Sequence, residues 1–253
     1  MKKMYPILFR LGSFSIYSYG LMVAIGCLLG TFLAAKMAEK ENIKKDLIFD
    51  FSFYALLSGI IGARIFYIIE NFEYYLKNPL DIIKIYQGGL AFYGGLISAI
   101  FVTFLFFKKK KLPFLKTSDI LIPFLVIGHS IGRIGCFLNG CCYGKETNSC
   151  FGIKFDGCHS VHPTQIYESI ILLIIFFILL NFKKIKKFDG QVFFLYMILY
   201  SISRFFIELL RVNEKIMFNL SSAQIVSIIL VIIGICLWLY FGKKMKGKCC
   251  EIK

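Results

Sequence analysis

The sequence is short of acid, and that shortage decides more than any residue it has in abundance. Fifteen Asp and Glu face 30 Lys and Arg, for a formal net charge of +15. Also missing are an internal repeat, a low-complexity linker, a C-x-x-C pair and the short apolar core with a small-residue cleavage site that marks a secretory leader. Each absence weighs against a class of protein. Without a repeat there is no second half echoing the first, as many transporters have. Without a linker the chain reads as one domain, residues 1–253. Without C-x-x-C spacing the cysteines do not read as a zinc ribbon or a thioredoxin-like pair, and no metal or cofactor is expected. Without a leader, every apolar run is expected to belong to the mature protein.

What is present is hydrocarbon. With 58% hydrophobic residues, the bulk of the chain belongs in a bilayer. Taking roughly 20 apolar residues as one span, the sequence predicts an all-α integral membrane protein of about seven transmembrane helices, near 14–35, 49–69, 89–107, 119–138, 166–182, 190–210 and 220–242. Basic residues decide the sidedness. Eighteen fall in the segments after the first, third, fifth and seventh spans, against nine in the alternate segments. The N-terminus is therefore expected outside and the C-terminus in the cytoplasm, with an outside loop at about 139–165 and a basic tail at 243–253. Short lysine clusters beside spans serve orientation and anionic lipid, so nucleic acid is not an expected partner.

Three arginines lie in or near the spans: Arg64, Arg133 and Arg204. A guanidinium at bilayer depth costs from roughly three to over ten kcal/mol and is kept where it faces water, a partner or an anionic substrate. Arg133 lies in the stretch His129–Gly144, HSIGRIGCFLNGCCYG, one helical turn after His129. Arg204, Glu208 and Arg211 follow one another at i, i+4 and i+7, with Tyr200 one turn earlier. The bland reading pairs each arginine with a carboxylate such as Glu208 or Glu70, locking the bundle. Three cations with few acids to neutralise them favour an anionic ligand. Gly26-x-x-x-Gly30 and Gly128-x-x-x-Gly132 read as faces for close helix packing. The cysteines at 136, 141, 142, 150 and 158 read as packing residues or local disulfides before they read as a metal site.

Four stretches in order, Gly88-Gly89-Leu-Ala-Phe-Tyr93-Gly94-Gly95-Leu96, Gly132-Arg133-Ile-Gly135-Cys136-Phe137-Leu-Asn139-Gly140, His162-Pro163-Thr-Gln165-Ile-Tyr167-Glu168 and Arg204-x-x-x-Glu208-x-x-Arg211, resemble the prolipoprotein diacylglyceryl transferase family of bacterial cytoplasmic membranes. The likeness runs from Tyr19-Gly20-Leu21 over nearly the whole chain. It implies transfer of the diacylglyceryl group of phosphatidylglycerol to the thiol of a lipobox cysteine in a preprolipoprotein signal peptide, forming a thioether and releasing glycerol 1-phosphate, in the bacterial cytoplasmic (inner) membrane.

The expected partners are thus phosphatidylglycerol, the lipobox-bearing peptide and membrane lipids. Arg133 and Arg204 are expected to hold the departing phosphate, with Tyr93 and His129 as the other catalytic candidates. Tyr19, Arg64, Asn139, Gly94, Gly95, His162, Gln165, Glu208 and Arg211, with the two arginines, are the expected substrate-binding set. The chain departs from the family pattern in carrying Tyr93 where many members have His, Cys136 where the pattern has Asn and Cys141 where it has Glu. A tyrosine, with an ordinary pKa of about 10, is a poor base, which moves attention to His129 or to no dedicated base. Two other readings stay open: a transporter or channel for an organic anion, and a structural or redox-sensing protein built on Cys141, Cys142, Cys150 and Cys158.

Overall fold

The computed structural model describes residues 5–11, 14–84, 88–155, 159–217 and 219–250. Gln87, Asp156 and Cys158 lie outside the described residues. Among the described residues seven helices are long and apolar enough to cross a membrane, in agreement with the count of apolar runs. They are α1 (Ser18–Lys40), α2 (Lys45–Glu70), α4 (Phe92–Lys109), α5 (Phe114–Asn139), α6 (Thr164–Lys183), α7 (Gln191–Leu209) and α8 (Ser222–Cys250). The short α3 (Phe72–Lys77) and a 3-10 turn at Pro79–Ile83 follow α2.

Three small antiparallel hairpins complete the described structure: β1 (Ile7–Leu11) with β2 (Phe14–Tyr17), β3 (Ile153–Lys154) with β4 (Ser160–Val161), and β5 (Lys215–Met217) with β6 (Leu220–Ser221). The first hairpin corrects the first span. Residues 14–17 pair in a strand, and helix begins only at Ser18. Ser18 is fully buried, with its hydroxyl on the Tyr5 carbonyl and its N–H on that of Pro6, so this junction satisfies one of the N–H groups a helix start leaves open and ties the helix to the segment before the hairpin.

Contacts gather the chain into two compact units, Met1–Leu33 with Ser118–Lys253, and Ala34–Thr117. In both, large apolar side chains face outward, such as Leu28, Phe32 and Phe177 in the first and Ile100 and Phe101 in the second. That arrangement suits lipid, which solvates a methyl group as well as a protein core does. Polar side chains turn inward instead, as Ser130, Gln165, Glu168, Ser169 and Glu208 do in the first unit.

In the first unit α1 and α5 cross at glycine. A Cβ on Gly26 would stand 2.7 Å from the Gly128 carbonyl, and one on Gly30 2.7 Å from that of Phe124. The small-residue faces therefore bring two backbones into contact, as their spacing suggests. Farther along, Gly135 admits Tyr19 and Met22 of α1: its Cβ would meet the Met22 Cβ at 2.9 Å and the Tyr19 Cα at 3.3 Å. Ser130 and Ser169 then set the register of α5 against α6, each hydroxyl donating to the other residue's carbonyl at 2.9 and 3.0 Å. Buried Asp119 anchors α7. It accepts from the Gly190 and Phe193 N–H groups at the head of that helix, at 2.9 and 3.0 Å, and from Lys186 Nζ at 3.1 Å. A carboxylate at a helix N-terminus fills orphan donors and complements the helix dipole.

The second unit is built on α2 packed against α4, and its glycines serve that contact. A Cβ on Gly94 would lie 2.4 Å from the Phe66 Cβ and 2.6 Å from the Gly62 carbonyl, and one on Gly95 2.9 Å from the Gly59 carbonyl. Phe51, Phe106, Phe107 and Phe114 close the far end in a chain of tilted ring contacts.

Candidate functional site

Two arginines and two glutamates of the first unit meet inside its apolar bundle. Arg133 Nη2 lies 2.9 Å from Glu168 Oε1, and Arg204 Nη1 lies 3.3 Å from Glu168 Oε2. The second guanidinium nitrogen of Arg204 reaches Glu208 Oε2, one turn along α7, at 3.0 Å. Glu168 and Glu208 are both buried. A lone carboxylate in such a place would be neutralised or expelled, so each needs the cations it has.

The sequence prepares this meeting step by step. The serine pair beside Glu168 fixes α6 against α5, Gly128 lets α5 approach α1, and Asp119 holds the start of α7, which carries Arg204. Glu208 is braced further by Ser221 Oγ at 2.9 Å and by the side-chain amide of Asn213.

Other expected residues join this cluster in different ways. His129 Nε2 stands 3.8 Å from Glu168 Oε1, beyond hydrogen-bond reach, and its ring meets Tyr200 edge-on at 5.6 Å between centroids. Tyr200 stacks in turn on Tyr196. Tyr19 is half-exposed, held beside the last turns of α5 by the Gly135 contact. Arg133 keeps one buried donor, Nε, without a hydrogen-bond partner among the described residues.

Gln165 and His162 belong to the rim. Gln165 is buried and donates Nε2 to the Cys141 carbonyl at 2.6 Å; Thr164 Oγ1 donates to the Cys142 carbonyl at 2.9 Å. His162 exchanges backbone hydrogen bonds with Gly144 and Lys145, and its Nδ1 is 3.4 Å from the Tyr167 hydroxyl. Arg211 pairs its backbone with Gly144 in a single bridge, which brings the end of α7 to the same rim. Asn139 is the last residue of α5, half-buried.

The described cysteines Cys27, Cys136, Cys141, Cys142, Cys150 and Cys236 carry free thiols. The local disulfides considered for the loop are not formed among them. Contacts with the Cys136 and Cys141 thiols hold the Cys142 thiol below its ordinary range, against the pull of burial, with Arg211 and Arg133 adding to the effect.

Arg64 stands in the second unit and has a different occupation. Its Nε donates to the Ile82 carbonyl at 3.0 Å, Nη1 to those of Gly88 and Gly89 at 2.8 and 3.0 Å, and Nη2 to that of Asp81. Tyr75 lies under the guanidinium at 5.3 Å. Gly88 and Gly89, at φ of 91° and 75°, turn their carbonyls toward it in a conformation other residues avoid. This arginine clamps a loop, and four of its five N–H donors serve that end. The neutralising partner weighed for it, Glu70, does not appear among its contacts. Gly94 and Gly95 are likewise occupied by helix packing. Tyr93 sits in the first turn of α4, mostly exposed, with its ring edge-on to Phe92.

Glu168 is the residue that sequence reasoning passed over: it stands at the end of the third family stretch and is not named among the expected site residues. A signal was available: it is an acid at the head of a long apolar run, and the cost applied to the arginines applies to it as well.

Known proteins resemble this chain over nearly its whole length. A family model described as prolipoprotein diacylglyceryl transferase matches residues 6–240. A phosphatidylglycerol–prolipoprotein diacylglyceryl transferase of Finegoldia magna is 42% identical over 240 residues, covering 94% of this chain and 96% of the relative. The protein of the same name from Clostridioides difficile is 42% identical over 245 residues, covering 97% and 98%. That from Staphylococcus aureus is 39% identical over 247 residues, covering 93% and 88%.

Proposed function

The chain belongs to the prolipoprotein diacylglyceryl transferase family, and we propose that it moves the diacylglyceryl group of phosphatidylglycerol onto the lipobox cysteine of preprolipoproteins, the first step of lipoprotein maturation. The supporting observation is the convergence of the Arg133 and Arg204 guanidiniums inside the apolar first unit, with Arg133 Nε left as a buried donor.

The chemistry needs such an arrangement. The peptide's sulfur attacks a glyceryl carbon of the lipid and forms a C–S bond. The C–O bond to phosphate breaks, and its electron pair leaves with glycerol 1-phosphate. Charge gathers on the departing phosphate ester, so donors aimed there lower the barrier. Arg133, through Nε, and Arg204 are the donors in this reading, and Glu168 orients both while keeping the cluster near neutrality. A thiol with an ordinary pKa of about 8.5 must lose a proton to attack. In this reading His129, one turn before Arg133 and 3.8 Å from Glu168, takes it. Tyr93 is not needed as a base here. Tyr19, Asn139, His162, Gln165 and Arg211 would line the approach of headgroup and peptide.

Seven spans and the lysine distribution support a multi-pass protein of the bacterial cytoplasmic membrane, with the rim of Asn139, His162 and Arg211 on the outer side and the basic tail inside. The organic-anion transporter alternative draws no support from the relatives, whose names are those of a transferase.

Removing Arg133 alone leaves Glu168 short of a cation, so lost activity could merely report a weakened bundle. The charge-balanced Arg133→Gln/Glu168→Gln variant separates the two roles. Reconstituted with phosphatidylglycerol and a lipobox peptide, it should insert and melt near wild type yet form no thioether product. Full activity would show that these charges only hold helices together.

A further inference from the structure

The end of α5 turns back on itself. Gly140 takes a left-handed conformation at φ 69°, the Cys141 N–H donates to the Cys136 carbonyl at 3.2 Å, and Cys142 is itself left-handed at φ 65°. Folded this way, Cys136 on the helix and Cys141 and Cys142 after it bring their sulfurs together. All three lie within 4.8 Å of one another. Their spacing is not C-x-x-C, and the turn supplies what the spacing lacks.

We propose that Cys136, Cys141 and Cys142 form a binding site for one thiophilic metal ion, of the zinc or copper(I) class. An ion held about 2.3 Å from each of three sulfurs separates them by about 4 Å in a planar or pyramidal arrangement. The observed spread needs only small side-chain adjustments to reach that. Three sulfurs mutually near one another suit a shared ion, whereas a disulfide would join two and leave the third without purpose. Soft thiolate sets select zinc, copper(I) or related ions over magnesium and calcium.

The surroundings suit the same use. Cys136 is buried, Cys141 half-buried and Cys142 exposed, which gives the ion a route in and a largely sheltered seat. The backbone of the turn is held from outside by Gln165 on the Cys141 carbonyl and Thr164 on that of Cys142, so the ligands are placed before any ion arrives. Arg133 stands three residues before Cys136 on the same helix, and the Gly144–Arg211 backbone bridge brings Arg211 to the turn just after Cys142, so two guanidiniums are at hand to offset the negative charge of three thiolates. Three ligands leave a fourth position open for water or a further donor. This inference does not depend on the proposed reaction, since it concerns the thiols alone.

The test uses the full chain, purified in detergent through a tag without histidine, reduced, stripped with chelator and titrated with Cd2+ and then Zn2+. The sulfur-to-cadmium charge-transfer band should grow to one ion per chain, and one zinc should survive desalting. Cys142→Ser, at the exposed position, should fold normally and weaken binding at least tenfold. Cys136→Ser/Cys141→Ser/Cys142→Ser should show no band, while Cys150→Ser and Cys236→Ser bind as wild type. Equal binding by the triple variant would overturn the proposal. So would a reduced wild type, with its thiols titratable, that retains no ion, or a mass showing that the cluster forms a disulfide in preference to taking up metal.

Discussion

Arg133 of α5 and Arg204 of α7 divide one carboxylate between them, the first on Oε1 of Glu168 at 2.9 Å and the second on Oε2 at 3.3 Å. Two cations sharing one anion are held in place without being fully neutralised by it. Glu208 at 3.0 Å from Arg204 brings the formal sum of these four side chains to zero. The pairs themselves are a bundle lock; the anion-binding role is the one proposed above. Only removal of both partners together distinguishes them.

Glu168→Gln by itself should be the more damaging change to the fold. It leaves two buried guanidiniums with one carboxylate, and breaking a buried pair costs about 3–5 kcal/mol. Thermal melts in detergent should show a clear drop for Glu168→Gln that Arg133→Gln/Glu168→Gln largely restores. Transfer activity should stay lost in both, down by about 100-fold or more, as expected when charge stabilisation is withdrawn from a reacting centre.

Gly128→Ala tests the crossing of α1 and α5. Its Cβ would stand 3.0 Å from the Gly26 carbonyl, and that of Gly26→Ala 2.7 Å from the Gly128 carbonyl. Backbone cannot yield as a flexible side chain can, so each should cost about 1–3 kcal/mol, with Gly26→Ala the worse. Gly132→Ala meets only Val23 Cγ2 at 3.9 Å and should melt like wild type.

Arg64→Gln should loosen the loop after α2 and leave the phosphate-binding chemistry alone. Four backbone carbonyls lose a charged donor, and hydrogen bonds to charged groups contribute about 1.5–3 kcal/mol each, without simple addition. Limited proteolysis should cut sooner between Asn78 and Leu90. The Michaelis constant for phosphatidylglycerol should move little, while a large rise would restore Arg64 as a direct ligand.

Lys186 supplies a pH dependence. Burial alone would lower its pKa, and the nearby charges of Asp119 and Asp189 outweigh that, leaving it above the ordinary lysine value. A group raised on folding adds stability in full below its unfolded value, and the gain is lost as pH climbs through the folded one. Melting temperature should therefore fall across the strongly alkaline range, and Lys186→Gln should flatten that limb while lowering the plateau at neutral pH.

The helices were legible because a bilayer asks for roughly 20 apolar residues per span, and the sequence states each run openly. The glycine faces were legible for the same kind of reason: a small-residue period has few other uses in hydrocarbon. Arg133 and Arg204 stood out because each breaks a rule of composition. The partner they share did not, since Glu168 is one letter of a longer family stretch and nothing in the sequence pairs it with either arginine.

What composition and period determined by themselves was the class of the protein, its seven spans and the residues that must be explained. Only the tertiary structure decided what each explained residue does. Arg64 and Arg133 look alike in sequence, yet one is wrapped by the carbonyls of a glycine turn and the other faces a shared carboxylate with a donor to spare. The difference lies in carbonyl direction and helix register, set by left-handed glycines and a serine pair, which no one-dimensional pattern records.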